Sequence, residues 1–130
     1  MPRRHEDWLR QAEKDLRHAE SALKAGDYEW TCFAAQQAFE KALKALYLSI
    51  GGEGWGHSLT KLLRELPDEY RASGSEMQAA MNLDKHYIPA RYPNGFDIGA
   101  PMDYYSEENA REALKDAKII FSFVRSKVSR

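Results

Sequence analysis

The chain has 130 residues, 43% hydrophobic and 30% charged, enough for one domain with a real core. Nineteen basic and 20 acidic residues leave a formal charge of -1, which excludes a general electrostatic grip on nucleic acid or anionic membrane and leaves room for a local patch. A single cysteine, Cys32, excludes an internal disulfide and a four-thiolate zinc site. No apolar run approaches the ~20 residues of a membrane span, and Met1-Pro2-Arg3-Arg4-His5-Glu6 carries no apolar signal core. These features predict a soluble, cytoplasmic domain spanning 1–130.

Trp8, Ala12, Leu16, Ala19 and Leu23 recur at spacings of three and four, the apolar face of a helix over 6–25 that Gly26 stops. Asp27 can cap a second helix over 28–50. On it, Tyr28, Cys32, Ala35, Phe39, Ala42, Leu46 and Ile50 share one side. Trp30, Phe33, Gln37, Lys41, Lys44 and Leu48 share the other. Bulky apolar groups on two faces predict a central helix, or one that also forms an interface. After the glycines at 51–56, Ser58 can cap a short helix carrying Leu59, Leu62, Leu63 and Leu66, ended by Pro67. A further short helix is predicted over 75–85. Pro89, Pro93, Gly95, Gly99 and Pro101 forbid a long helix over 87–104, and an ordered connection of that length points to function. Ser106 caps the last helix, to 128, with a stripe of Ala110, Ala113, Leu114, Ala117, Phe121, Val124 and Val128. No segment reads as a strand. The expected fold is all-α, an antiparallel up-and-down bundle of about five helices in a single domain.

The glycines at 51–56 do not form a phosphate loop, because no strand precedes them and no Gly-Lys-Ser/Thr follows. His57 stands at a helix N-terminus, where free N–H groups can hold an anion, or it is an ordinary capping or packing histidine. Lys41 and Lys44 share a helix face with Gln37, which suits a phosphate or a solvated surface, with Glu40 as a partial relief of their repulsion. In the run Asp84-Lys85-His86-Tyr87-Ile88-Pro89-Ala90-Arg91-Tyr92-Pro93-Asn94, Arg91 offers a planar fork for phosphate. Tyr87 and Tyr92 offer faces and hydroxyls. The structural alternative has the tyrosines anchoring the loop and Arg91 paired with Asp84. His5, His18, His57 and His86 are scattered, so no metal site is expected.

Taken together, Ala12-Glu13-Lys14-Asp15-Leu16, the run Cys32-Phe33-Ala34-Ala35-Gln36-Gln37-Ala38-Phe39-Glu40-Lys41-Ala42-Leu43-Lys44-Ala45, His57-Ser58-Leu59, and Leu83 to Pro93 resemble the HEPN (higher eukaryotes and prokaryotes nucleotide-binding) domain family. The resemblance covers nearly the whole chain. It implies a helical bundle, commonly a homodimer, with proposed nucleotide binding, no other cofactor, and frequent pairing with a small nucleotidyltransferase, often as the toxin of a toxin–antitoxin pair. It also implies Lys41, Lys44, His57, His86, Tyr87, Arg91 and Tyr92 as candidate ligand-binding residues. Some relatives cleave RNA without metal through an Arg, four to six residues, then a His. No histidine here has an arginine at that spacing, and His86 and Arg91 stand in reversed order. Asn94 also replaces an aspartate often found after Arg-Tyr-Pro.

Three functions follow: a nucleotide-binding module acting with a nucleotidyltransferase, a metal-independent endoribonuclease using His86 or His57 with Arg91, and an interaction protein dimerising through Trp30, Phe33 and Leu48.

Overall fold

The computed structural model describes residues 4–128. Six helices follow in order: α1 (Arg4–Ala25), α2 (Tyr28–Ser49), α3 (Leu59–Arg64), α4 (Gly74–Asp84), α5 (Pro101–Tyr104) and α6 (Glu107–Lys127). There is no strand among the described residues, and no helix is long and apolar enough to cross a membrane. The expected all-α bundle is found. Its one addition is α5, a single turn inside the proline- and glycine-rich connection, begun by Pro101 at a position where a missing N–H does no harm.

Local signals explain the element ends. Gly26 takes φ +81°, a left-handed conformation that closes α1, and Asp27 N donates to Ala22 O at 2.9 Å. With only Gly26 and Asp27 between them, α1 and α2 must run antiparallel. Ser58 Oγ accepts from Lys61 N at the start of α3, and Ser106 Oγ from Asn109 N at the start of α6.

Helix α2 is the axis of the bundle. Twelve of its residues are buried, against three in α1. Ala35, Ala38 and Ala42 on α2, with Ala12 and Ala19 on α1, are fully buried, so small side chains let neighbouring backbones come close. Phe39, Leu43 and Leu46 are buried with Leu59, Leu62, Leu83, Ile120 and Val124 from α3, α4 and α6.

Two polar clamps fix the segments that follow. Asp84, the last residue of α4, accepts from Leu59 N (2.7 Å), Thr60 N (3.1 Å) and Thr60 Oγ1 (2.6 Å). It therefore caps α3 from outside, neutralising the exposed N–H groups and the positive end of the helix dipole. The alternative in which Arg91 pairs with Asp84 is not found among the described residues: Asp84 faces the α3 N-terminus, and Arg91 Nε donates to Tyr87 O. His86 is the second clamp. Its Nδ1 lies 2.9 Å from Tyr105 Oη, joining the end of α4 to the start of α6. Burial, with Lys85 adding to it, lowers the His86 pKa to about 4, and burial raises that of Tyr105 to about 12.

Replacing Asp84 by Ala should lower stability by about 1–3 kcal/mol, read from the urea midpoint, with Asp84→Asn intermediate. An unchanged midpoint would show that the cap does not hold α3. His86 binds its proton more readily when unfolded, at an ordinary 6.5, than when folded, at about 4. Stability is thus full above pH 6.5 and falls as the pH drops toward 4, by up to about 3 kcal/mol. Urea titrations across that window should show a flatter dependence in His86→Gln.

Candidate functional site

The two clamps bring the His57 loop and the 85–92 turn onto one flank of α2. Gly51 (φ +83°) reverses the chain, and Gly52 N donates to Tyr47 O at 2.9 Å, so residues 51–57 fold back along α2. Asp84 holds α3, and so the neighbouring His57, beside the turn that starts at Lys85. Within that turn the fully buried Ala90 is the apolar anchor, and Arg91 N and Tyr92 N both donate to Ile88 O.

At the centre lies Glu40, only 5% exposed. Its Oε1 is 3.0 Å from His57 Nδ1 and its Oε2 accepts from Lys44 Nζ at 3.1 Å. Gln36 Nε2 lies 3.4 Å from the same Oε1 and 3.4 Å from His57 O, and Gln37 Nε2 donates to Gln36 Oε1 at 2.7 Å. The imidazole stacks on Tyr87, with ring centres 4.6 Å apart and planes at 20°. Arg91 continues the row. Its Nε donates to Tyr87 O at 2.8 Å, and its guanidinium carbon sits 4.4 Å from the Phe33 ring centre, 4.6 Å from Tyr87 and 5.0 Å from Tyr92. Trp30 meets Phe33 edge-on at 6.3 Å.

Electrostatically, Glu40 cancels Lys44, whereas Arg91 has no carboxylate partner among the described residues. Its aromatic neighbours and the bond from Nε hold the guanidinium plane in place and leave two terminal nitrogens for a ligand. Such a fork suits an anion with paired oxygens, a phosphate or a carboxylate. His57, with Nδ1 donating to Glu40 and its side chain 56% exposed, presents Nε2, an acceptor in the neutral ring and a donor to an anion when the ring is protonated. Among the described residues no group of three or more His, Cys, Asp or Glu side chains is placed to hold a metal ion.

Of the seven residues singled out in the sequence, His57, Tyr87, Arg91 and Tyr92 come together, and Lys44 reaches them through Glu40. Lys41 turns the other way, to Asp15 of α1 at 2.5 Å. His86 faces Tyr105. Ser58 beside His57 serves as the α3 cap. Phe33, Gln36 and Glu40 belong to the site and were not among those seven. A signal for Gln36 and Glu40 does exist: two polar residues one turn apart, followed by Leu43, inside the arc that a central helix must bury.

The HEPN domain model matches residues 5–127. The crystal structure of TT1696 from Thermus thermophilus superposes with a TM-score of 0.94 at 47% identity, covering 97% of this chain and 99% of that one. ST0689, described as an archaeal HEPN homologue, gives 0.82 at 41% identity, over 99% of this chain and 100% of that one. Among curated proteins, the one named "Putative toxin MJ1304", from Methanocaldococcus jannaschii, is 28% identical over 127 residues, covering 91% of this chain and 84% of that protein. A match this nearly complete, on a bundle with the same helical architecture, places the chain in the HEPN domain family.

Proposed function

We propose that this chain binds the phosphate of a nucleotide at Arg91 and acts as the toxin-type member of a pair whose other member is a nucleotidyltransferase. The observation that carries the reading is the guanidinium of Arg91, stacked on aromatic rings, tied at Nε and without an acidic partner among the described residues. A fork held in position loses little freedom when an anion docks. His57 supports the anion from the neighbouring loop, Tyr92 borders it, and Lys44 acts by holding Glu40 rather than by touching phosphate. The pairing is supported by the name of the archaeal relative, which calls that protein a putative toxin.

A homodimer is part of the proposal. Trp30, Ile88 and Tyr92 are exposed large side chains beside the Arg91 site, an apolar rim that a second copy would cover. RNA cleavage is the weaker reading. His86 is tied to Tyr105, and His57, which lies beside the Arg91 row, has no arginine before it at the spacing of the RNA-cleaving relatives.

Calorimetric titration with ATP, GTP and their diphosphates tests the site. Arg91→Ala should weaken binding by about tenfold or more, the loss of at least one charge-assisted hydrogen bond pair. Arg91→Lys should restore only part of it, because an ammonium neither stacks nor forks. Wild-type affinity in Arg91→Ala would overturn the placement.

A further inference from the structure

Trp30 closes the row of rings beside Arg91. It stands in the first turn of α2, three residues before Phe33, and is 48% exposed. Tryptophan is seldom left so open in a chain that has room to bury it. Phe33, Tyr87 and Tyr92 all lie against the guanidinium of Arg91, whereas the ring contact of Trp30 is with Phe33. The two planes meet at 79°, an edge-to-face contact that takes up at most one face of the indole. A half-exposed indole held in this way keeps a face for a planar ligand.

Trp30 also lies within the reach of one nucleotide from Arg91. Its ring centre is 6.3 Å from that of Phe33, and the guanidinium carbon sits 4.4 Å from the same Phe33 centre, so indole and guanidinium carbon are at most about 11 Å apart. A phosphate oxygen bonded to a terminal nitrogen takes up about 2.8 Å at one end and a stacked base about 3.5 Å at the other, and a single ribose bridges the rest. The direction follows from α2. Trp30 precedes Phe33, whereas Glu40 and the His57 it holds follow Phe33 by about two turns. The base end and the phosphate end of one ligand therefore meet different residues.

We propose that Trp30 is the stacking platform for the base of a nucleotide whose phosphate is held by Arg91. An indole face recognises any base through its π-surface, so the platform adds affinity for a nucleotide over a sugar phosphate without selecting one base. The platform rests on the phosphate reading of Arg91. The rim it belongs to is also the one a second copy would cover, so a base seated on Trp30 lies at that interface, and the oligomeric state is read together with the affinity.

The test is calorimetry with AMP, adenosine and ribose 5-phosphate on wild type, Trp30→Ala, Trp30→Phe and Arg91→Ala, with light scattering on each protein. AMP should bind wild type more tightly than ribose 5-phosphate does. Trp30→Ala should weaken AMP by about fivefold or more and leave ribose 5-phosphate unchanged. Trp30→Phe, which keeps an aromatic face, should recover most of the AMP affinity. Arg91→Ala should weaken AMP and ribose 5-phosphate alike. Trp30 lies outside the buried core, so its replacement leaves the bundle folded. Equal wild-type affinity for AMP and ribose 5-phosphate, or AMP binding untouched by Trp30→Ala, overturns the platform and leaves the anion site standing. Equal losses of AMP and ribose 5-phosphate in Trp30→Ala also overturn it, and light scattering then shows whether the loss came through the dimer. Adenosine bound as tightly as AMP, with both weakened by Trp30→Ala, overturns the anion site and not the platform. No binding by any of the three overturns both.

Discussion

A carboxylate buried on the central helix costs several kcal/mol in lost hydration unless partners surround it. Glu40 is such a group, and the partners it gathers define the site. Lys44 comes from the next turn of α2, His57 from the loop after α2, and Gln36 from the turn before. Each is held in place because Glu40 needs it. His57 then fixes Tyr87 by stacking, and Tyr87 fixes Arg91 through its carbonyl and its ring. Among the described residues no buried side-chain nitrogen or oxygen lacks a hydrogen-bond partner, so the buried part of this row, Gln36 and Glu40, is satisfied.

That order of dependence gives the site its character. The helices provide the floor, whereas His57, Tyr87, Arg91 and Tyr92 sit on two loops, one after α2 and one after α4. Asp84 couples those loops by capping α3 from the end of α4, and the buried Ala90 seats the second of them. The outcome is a cation at Arg91 whose position is set by stacking and backbone bonding rather than by an acidic partner. A groove of about 800 Å³ lies elsewhere, between α1 and α6, lined by Glu20, Lys24, Arg111, Lys115 and Lys118 together with Leu114 and other apolar groups. Acidic and basic groups mix there without a shared focus.

Local chemistry made the bundle legible in the sequence. Gly26, Ser58 and Ser106 mark helix ends because their conformational and capping preferences act within a few residues. The two apolar faces of 28–50 predicted a central helix or one that also forms an interface, and α2 is central. The one-turn helix α5 escaped because four residues carry no period. The site was half legible. Arg91, Tyr92 and His57 stand out by residue type in loops. The alternative in which Arg91 pairs with Asp84 does not hold, because α3 docks its N-terminus on Asp84, a contact between segments about 25 residues apart. Lys41 and Lys44 look alike as a surface pair, yet one turns to α1 and the other to Glu40, a difference set by which neighbour covers each. Glu40 itself resembled a charge that relieves two lysines. Its burial is a tertiary fact.

Glu40→Gln offers the most direct test of this dependence, since it keeps the side-chain shape and removes the charge. If Glu40 were only a negative charge near an anion site, its removal would tighten binding of a phosphate ligand. If it organises His57 and Lys44, removal should loosen binding despite the more positive site. Calorimetry of the folded variant with AMP is therefore expected to show affinity at least about fivefold weaker than wild type. Equal or tighter binding would contradict the central role of Glu40.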